Sequence, residues 1–139
     1  MNQTTLHANA VSISDRCLVI LGPSGSGKSL FSLEMMALGA RLIADDRTIV
    51  SAQDGGIWAS CPEAIKGKIE ARNVGLLHAD PVTEVQIVAV LDLGQTEPDR
   101  LPPLRTIEIL GYKLPLFLRP QYNTFAAAFL QFLRCDRGD

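Results

Sequence analysis

Eight residues, Gly22-Pro23-Ser24-Gly25-Ser26-Gly27-Lys28-Ser29, carry the plainest chemistry in this chain. They fit G-x-x-x-x-G-K-[ST], a loop whose backbone N–H groups wrap nucleotide phosphates at a helix N-terminus. In that pattern the lysine contacts the β- and γ-phosphates and the last hydroxyl ligates Mg²⁺. Lys28 and Ser29 hold those positions here. Gly22, Gly25 and Gly27 permit backbone angles and a close phosphate approach that side chains would obstruct. The motif points to a nucleotide phosphate and leaves the reaction open.

A second candidate is the pair Asp45-Asp46, which follows the apolar run Leu42-Ile43-Ala44. In a strand–loop–helix–strand unit, the carboxyl end of the second strand lies at the ligand crevice beside the phosphate loop. One carboxylate there can take a proton from an attacking hydroxyl while the other orients water or a metal.

The elements that must position these groups are legible from pattern. Cys17–Leu21 reads as a buried strand leading into the loop, and Lys28–Leu38 as a helix closed by Gly39. Apolar residues cover most of that helix, which predicts a sheet on one side and another subunit on the other. Thr4–Ser12 reads as a short strand and turn carrying His7, and Arg41–Ala44 as a strand. Thr48–Ser51 and Ile57–Ser60 form a hairpin around Asp54-Gly55-Gly56. Residues 62–75 read as irregular, Glu84–Leu91 as a strongly apolar strand and 94–103 as a loop. Arg105–Leu110 reads as an exposed strand, and Asn123–Leu133 as a second helix capped by Asn123 or Thr124. The sum is a single α/β domain over residues 1–139, with a mixed sheet packed by two main helices.

Composition narrows the class. The chain has 139 residues, 47% hydrophobic and 20% charged, with net charge −2. That fits one globular domain and offers no basic stripe for nucleic acid. No apolar run approaches membrane-spanning length. The first residues lack a basic start and apolar core, so no signal peptide is expected. Three widely spaced cysteines, Cys17, Cys61 and Cys135, suggest reduced thiols in a cytoplasmic protein. A guanine-reading N-K-x-D and a transporter L-S-G-G-Q signature are both missing from the sequence. Guanylate kinases share the wording of the loop, but their arginine-rich lid has no counterpart here.

With these residues in hand, the chain resembles HPr kinase/phosphorylase. The resemblance rests on His7-Ala8, the loop 22–29, Arg41-Leu42-Ile43-Ala44-Asp45-Asp46, and Ile69-Glu70-Ala71-Arg72-Asn73-Val74-Gly75-Leu76, in the family's order and near its spacings. It covers roughly residues 5–134 and looks like the short alphaproteobacterial form of the catalytic domain. It implies a phosphoenolpyruvate-carboxykinase-like variant of the phosphate-loop fold, typically hexameric. It also implies an ATP- and Mg²⁺-dependent protein-serine kinase acting on HPr, the phosphocarrier of the sugar phosphotransferase system. Many members also reverse the modification by phosphorolysis.

Carried onto this sequence, the resemblance makes Gly22–Ser29 the nucleotide loop, with Lys28 on phosphate and Ser29 on Mg²⁺. Asp45 and Asp46 contain the general base, and Glu70 is the second metal-associated carboxylate beside Arg72. His7 lies near the phosphates, and Arg100 neutralises the transferred phosphoryl. Arg119-Pro120 and Asn123 resemble the loop associated with dephosphorylation. Departures fall at Leu30, where the family has an acidic residue, and at Ala8 in place of glycine. Others fall at Asn73-Val74-Gly75, at Tyr122 in place of arginine, and at a C-terminus that ends soon after the last helix. Two readings follow: the kinase, or a nucleotide-binding regulator that keeps the fold without transfer. A small-molecule kinase lacks the lid and nucleoside pocket it would need.

Overall fold

The structure is a computed structural model that describes residues 2–139. Three features organise it: a buried parallel pair of strands, an antiparallel strand wedged beside them, and two helices on one face. The strands in chain order are β1 (Gln3–Leu6), β2 (Ala8–Ile13), β3 (Arg16–Leu21), β4 (Arg41–Ala44), β5 (Thr48–Gln53), β6 (Gly56–Ser60), β7 (Lys68–Ala71), β8 (Gly75–His78), β9 (Val85–Thr96), β10 (Thr106–Ile109) and β11 (Tyr112–Arg119). The helices are α1 (Lys28–Ala37) and α2 (Ala126–Cys135).

Among the described residues one nine-stranded sheet runs β1-β5-β6-β9-β3-β2-β4, with β11 added on β9 and β10 on β11. β3 and β11 each pair with β9 in parallel, while β2 pairs antiparallel with both β3 and β4. β3 and β4 therefore run in the same direction, as a crossover through α1 requires, but β2 lies between them. The mixed α/β class with two helices is as expected from sequence.

Burial follows the pleat. Val11, Leu18, Ile20, Leu42, Ala89 and Leu91 face the helices and pack with Phe31, Met35, Phe129 and Leu133. Ala10, Val19, Ile43, Val50, Ile57 and Val90 pack on the other side. Alternation of this kind is what a strand buried on both faces requires. α1 and α2 meet through an aromatic cluster: Phe31 stacks on Phe125 at 5.3 Å between centroids and meets Phe129 edge-on at 5.8 Å. Such pairs add about 0.5–1.5 kcal/mol each beyond their buried area.

Several expectations need correction. Residues 62–75 are not irregular: they hold a short 3₁₀ turn at Glu63–Ile65 and β7, which pairs with β8 as a separate hairpin. β9 extends through Gly94 to Thr96, into the stretch read as loop. The segment Tyr112–Arg119, assigned no element from sequence, is the strand β11 and carries Pro115 within it. α2 begins three residues later than Asn123, and its N-cap is Phe125, without a side-chain cap. The covering of α1 on two sides is not among these: Phe31 and Met35 are buried, while Leu30 and the C-cap residue Leu38 are 65% and 47% exposed.

Candidate functional site

β3 delivers the loop to the start of α1. Gly22, Gly25 and Gly27 all adopt positive φ (152°, 82° and 98°), the region for which glycine was expected. A Cβ on Gly22 would lie 2.4 Å from Ser26 Oγ, so this position also tolerates no side chain without a shift. Ser26 N donates to Pro23 O at 3.0 Å and Phe31 N to Gly27 O at 2.9 Å, closing the loop onto the helix. The first N–H groups of α1 have no partner within the helix and form a donor array facing the loop.

Two cations hold this loop. Lys28 arches back and donates through Nζ to Gly22 O (2.7 Å) and Pro23 O (3.2 Å). Arg119, at the end of β11, donates to Ser26 O through Nη2 and to Leu93 O through Nε. Its guanidinium also lies over the Phe125 ring. Ser26 Oγ is buried and has no hydrogen-bond partner among the described residues.

The acid pair reaches the loop because β4 carries a bulge. Ala10 pairs with Ala44 but Val11 pairs with Leu42, leaving Ile43 extra. Ile43 and Ala44 consequently both pack away from the helices, while Leu42 packs toward them. Asp45 then emerges toward α1, and one inserted residue has re-aimed the strand end.

Asp45 is buried and fully engaged. Its Oδ1 accepts from Ser29 Oγ at 2.6 Å and from Asn9 Nδ2 at 2.8 Å, and its Oδ2 accepts from Glu70 N at 3.0 Å. Asp46 differs in every respect. It is exposed, sits at φ 70°, and its Oδ1 lies 2.7 Å from His7 Nε2. Its backbone N–H donates to Asn9 Oδ1 at 2.8 Å, and Ala8 N donates to its carbonyl at 3.0 Å.

This geometry joins the loop, the acid pair, His7 and the β7–β8 hairpin at one end of the sheet. The description "HPr Serine kinase C-terminal domain" belongs to the family model that matches residues 1–90 of this chain. The chain belongs to this family. The match spans the loop, the acid pair and the hairpin, and ends within β9, before Arg100 and Arg119.

Relatives agree. The chain is 31% identical over 128 residues to the HPr kinase/phosphorylase of Malacoplasma penetrans, covering 83% of this chain and 42% of that protein. It is 32% identical over 130 residues to the one from Brevibacillus brevis, covering 84% and 42%. The chain thus spans less than half the length of these curated relatives. Among solved structures, the Hpr(Ser) kinase/phosphatase from Coxiella burnetii superposes with a TM-score of 0.81 at 23% identity, covering 94% of this chain and 88% of that one. That likeness shows a shared fold.

Within this family frame, the remaining candidates separate. Glu70 reaches the site through its backbone N–H on Asp45, while its side chain is exposed. Arg72 and Asn73 lie exposed at the hairpin turn, and no ion pair joins Glu70 to Arg72 among the described residues. Arg100 lies exposed in the segment between β9 and β10, with no hydrogen bond or ion pair among the described residues. Arg119 is the arginine that touches the loop. Asn123 is exposed just ahead of α2.

No cluster of three or more His, Cys, Asp or Glu that could cage a metal occurs among the described residues. A cation that takes one or two protein oxygens and completes its shell with phosphates and water needs no such cluster. Ser29 Oγ and Asp45, already in contact, supply such a donor set.

Sequence reasoning missed Asn9 and Ser32, both buried, and the contact of Arg119 with the loop. A polar Asn9 within the apolar run Ala8–Val11 was the available signal.

Proposed function

We propose that this chain is an ATP- and Mg²⁺-dependent protein-serine kinase domain acting on an HPr-like phosphocarrier. In this reading the fold is the phosphoenolpyruvate-carboxykinase-like variant of the phosphate-loop class. The observation that carries it is the 2.6 Å bond from Ser29 Oγ to Asp45 Oδ1. It ties the last residue of the phosphate loop to the acid pair, which supports Asp45 as a donor beside the phosphates with Asp46 as the adjoining carboxylate.

The roles divide by environment. Gly22–Ser29 cradles the phosphates, and Lys28 exchanges its loop carbonyls for phosphate oxygens. Mg²⁺, when bound, withdraws charge from the phosphates, with Ser29 and Asp45 as its protein donors and Glu70 next to them. Asp46 is exposed and free of the metal donor set, so it takes the proton of the substrate serine. His7, hydrogen-bonded to Asp46, orients that carboxylate. The serine oxygen bonds to the γ-phosphorus as the bond from phosphorus to the β–γ bridging oxygen breaks, releasing ADP. Charge neutralisation and alignment are what such a transfer chiefly requires. Arg119 supplies neutralising charge at the loop, and Arg100 supplies it from the segment after β9. In reversal by phosphorolysis, inorganic phosphate attacks the phosphoserine phosphorus, the serine oxygen–phosphorus bond breaks as Asp46 returns the proton to that oxygen, and pyrophosphate leaves.

The reading includes a cytoplasmic site of action and self-association, hexameric by family resemblance. Leu30 and Leu38, exposed on α1, support the second. No helix among the described residues is long and apolar enough to cross a membrane. The test is incubation with γ-labelled ATP, Mg²⁺ and HPr from the same organism. Phosphoserine on HPr is expected; nucleotide binding without any serine labelling would overturn the proposal.

A further inference from the structure

We propose that Asn9 is the positioning residue of the acid pair, a role that rests on the reading of Asp46 as proton acceptor. Asn9 lies on β2, the strand wedged between β3 and β4, and is fully buried. Its neighbours Ala8 and Ala10 pack on the far side of the sheet. Asn9 itself therefore points toward α1.

There it uses both halves of its amide. The nitrogen donates to Asp45 Oδ1 (2.8 Å) and to Ser32 Oγ (3.0 Å), and the oxygen accepts from Asp46 N (2.8 Å). One side chain thus binds both aspartates, through opposite chemistry. The amide orientation follows from the network, because a carboxylate needs a donor and a backbone N–H needs an acceptor. Ser32 Oγ donates onward to Lys28 O at 2.8 Å, so the same contact fixes the acid pair relative to the first turn after the loop.

A second observation agrees. Asp46 sits at φ 70°, a conformation aspartate enters more readily than most L-residues and that the bond from its N–H to Asn9 helps to hold. No common residue replaces asparagine here. Aspartate lacks the donors and would add a carboxylate beside Asp45. Serine is too short to span both partners, and leucine leaves buried donors and an acceptor unpaired.

The test is a double-mutant cycle with Asp46→Asn, read in single-turnover transfer to HPr and in nucleotide binding. Asn9→Ala is expected to slow transfer by about 10–100-fold, the scale of a sub-ångström to ångström misplacement. Its Kd for nucleotide without Mg²⁺ should stay within about 3-fold, since Asn9 makes no hydrogen bond to residues 22–29. In the Asp46→Asn background the same change should cost less than about 2-fold of the residual rate, because residues acting as a unit are not additive. Equal costs in both backgrounds, or a loss confined to nucleotide binding, would mean a structural role only and would overturn the proposal.

If Asn9→Ala does not fold, Asn9→Ser is read in the same cycle. A wild type that fails to label HPr speaks against the kinase reading, and hydrogen exchange then decides for Asn9. In Asn9→Ser the Asp46 amide should exchange at least about 10-fold faster while Val11 and Leu42 keep their protection. Unchanged exchange at Asp46, or uniform acceleration, refutes the role.

Discussion

Asp45→Asn separates the two functions that could be claimed for the buried carboxylate, structural anchor and reactive group. The side chain keeps its shape and loses its charge. In the wild type three donors converge on it: the Ser29 hydroxyl at 2.6 Å, the Asn9 amide at 2.8 Å and the Glu70 N–H at 3.0 Å. An amide offers one oxygen. Placed on the α1 side, it keeps Ser29 and Asn9 but turns its own NH₂ toward the Glu70 N–H. Placed the other way, it keeps Glu70 and opposes the Asn9 nitrogen. Either orientation leaves a buried donor unpaired, which costs about 1–3 kcal/mol, and weakens the bonds that remain. Loss of a buried charge returns part of this through desolvation. The expected net is about 2 kcal/mol, or a fall in Tm of about 7 °C for a domain of this size. Urea unfolding followed by far-ultraviolet circular dichroism measures it, with m unchanged. Ser29→Ala, which removes one donor and leaves two, should cost about 1 kcal/mol or less. An Asp45→Asn protein as stable as the wild type, or more so, would refute the anchor argument.

Glu97 and Arg105 form a bidentate pair at 2.8 and 3.0 Å, whose hydrogen bond holds the Glu97 carboxyl below the usual glutamate range. Folded Glu97 binds a proton more weakly than unfolded Glu97. The pair's contribution is therefore complete above an ordinary glutamate pKa of about 4.3 and is lost as pH falls through the lower folded value. Acid unfolding curves of wild type and Arg105→Gln should diverge above that window and converge below it; a constant gap would contradict the pairing. Burial pushes the Cys17 thiol far up, burial followed by the Glu63 charge raises Cys61, and Cys135 is exposed. A thiol reagent at neutral pH should label Cys135 first and Cys17 only on unfolding; early labelling of Cys17 would show that β3 opens. Gly22→Ala combines a positive φ with a 2.4 Å approach to Ser26 Oγ. It should weaken nucleotide binding by about 10-fold or more in calorimetry while the fold persists, and unchanged affinity would argue against the loop geometry.

Elements with local punctuation were readable. Asp54-Gly55, both at positive φ, fixed the β5–β6 hairpin, and Gly39 at φ 112° marked the end of α1. β4 was read to its residue bounds because its apolar run stops at two aspartates. The β7–β8 hairpin was not legible: its strands have four residues each and β8 has no buried residue, so the alternation in β7 is too short to separate it from a loop. β11 hid behind Pro115, which is tolerated where its missing N–H costs no ladder bond. For the site, the motif residues were visible and their joining was not. The bulge at Ile43 that turns Asp45 toward Ser29 leaves no local signature, since it depends on register against β2. Nor does spacing show that Arg119, nearly a hundred residues on, holds the loop.

The loop and the acid pair are proposed to make one phosphoryl-transfer site with Asp46 as proton acceptor. Single-turnover transfer from γ-labelled ATP to HPr, compared between wild type and Asp46→Asn at matched nucleotide occupancy, tests it most directly. Phosphoserine on HPr is expected with the wild type, with a rate lower by about 100-fold or more in the variant, the scale of lost general-base catalysis. A variant that transfers as fast as the wild type would contradict it, as would a wild type that binds nucleotide and labels no serine.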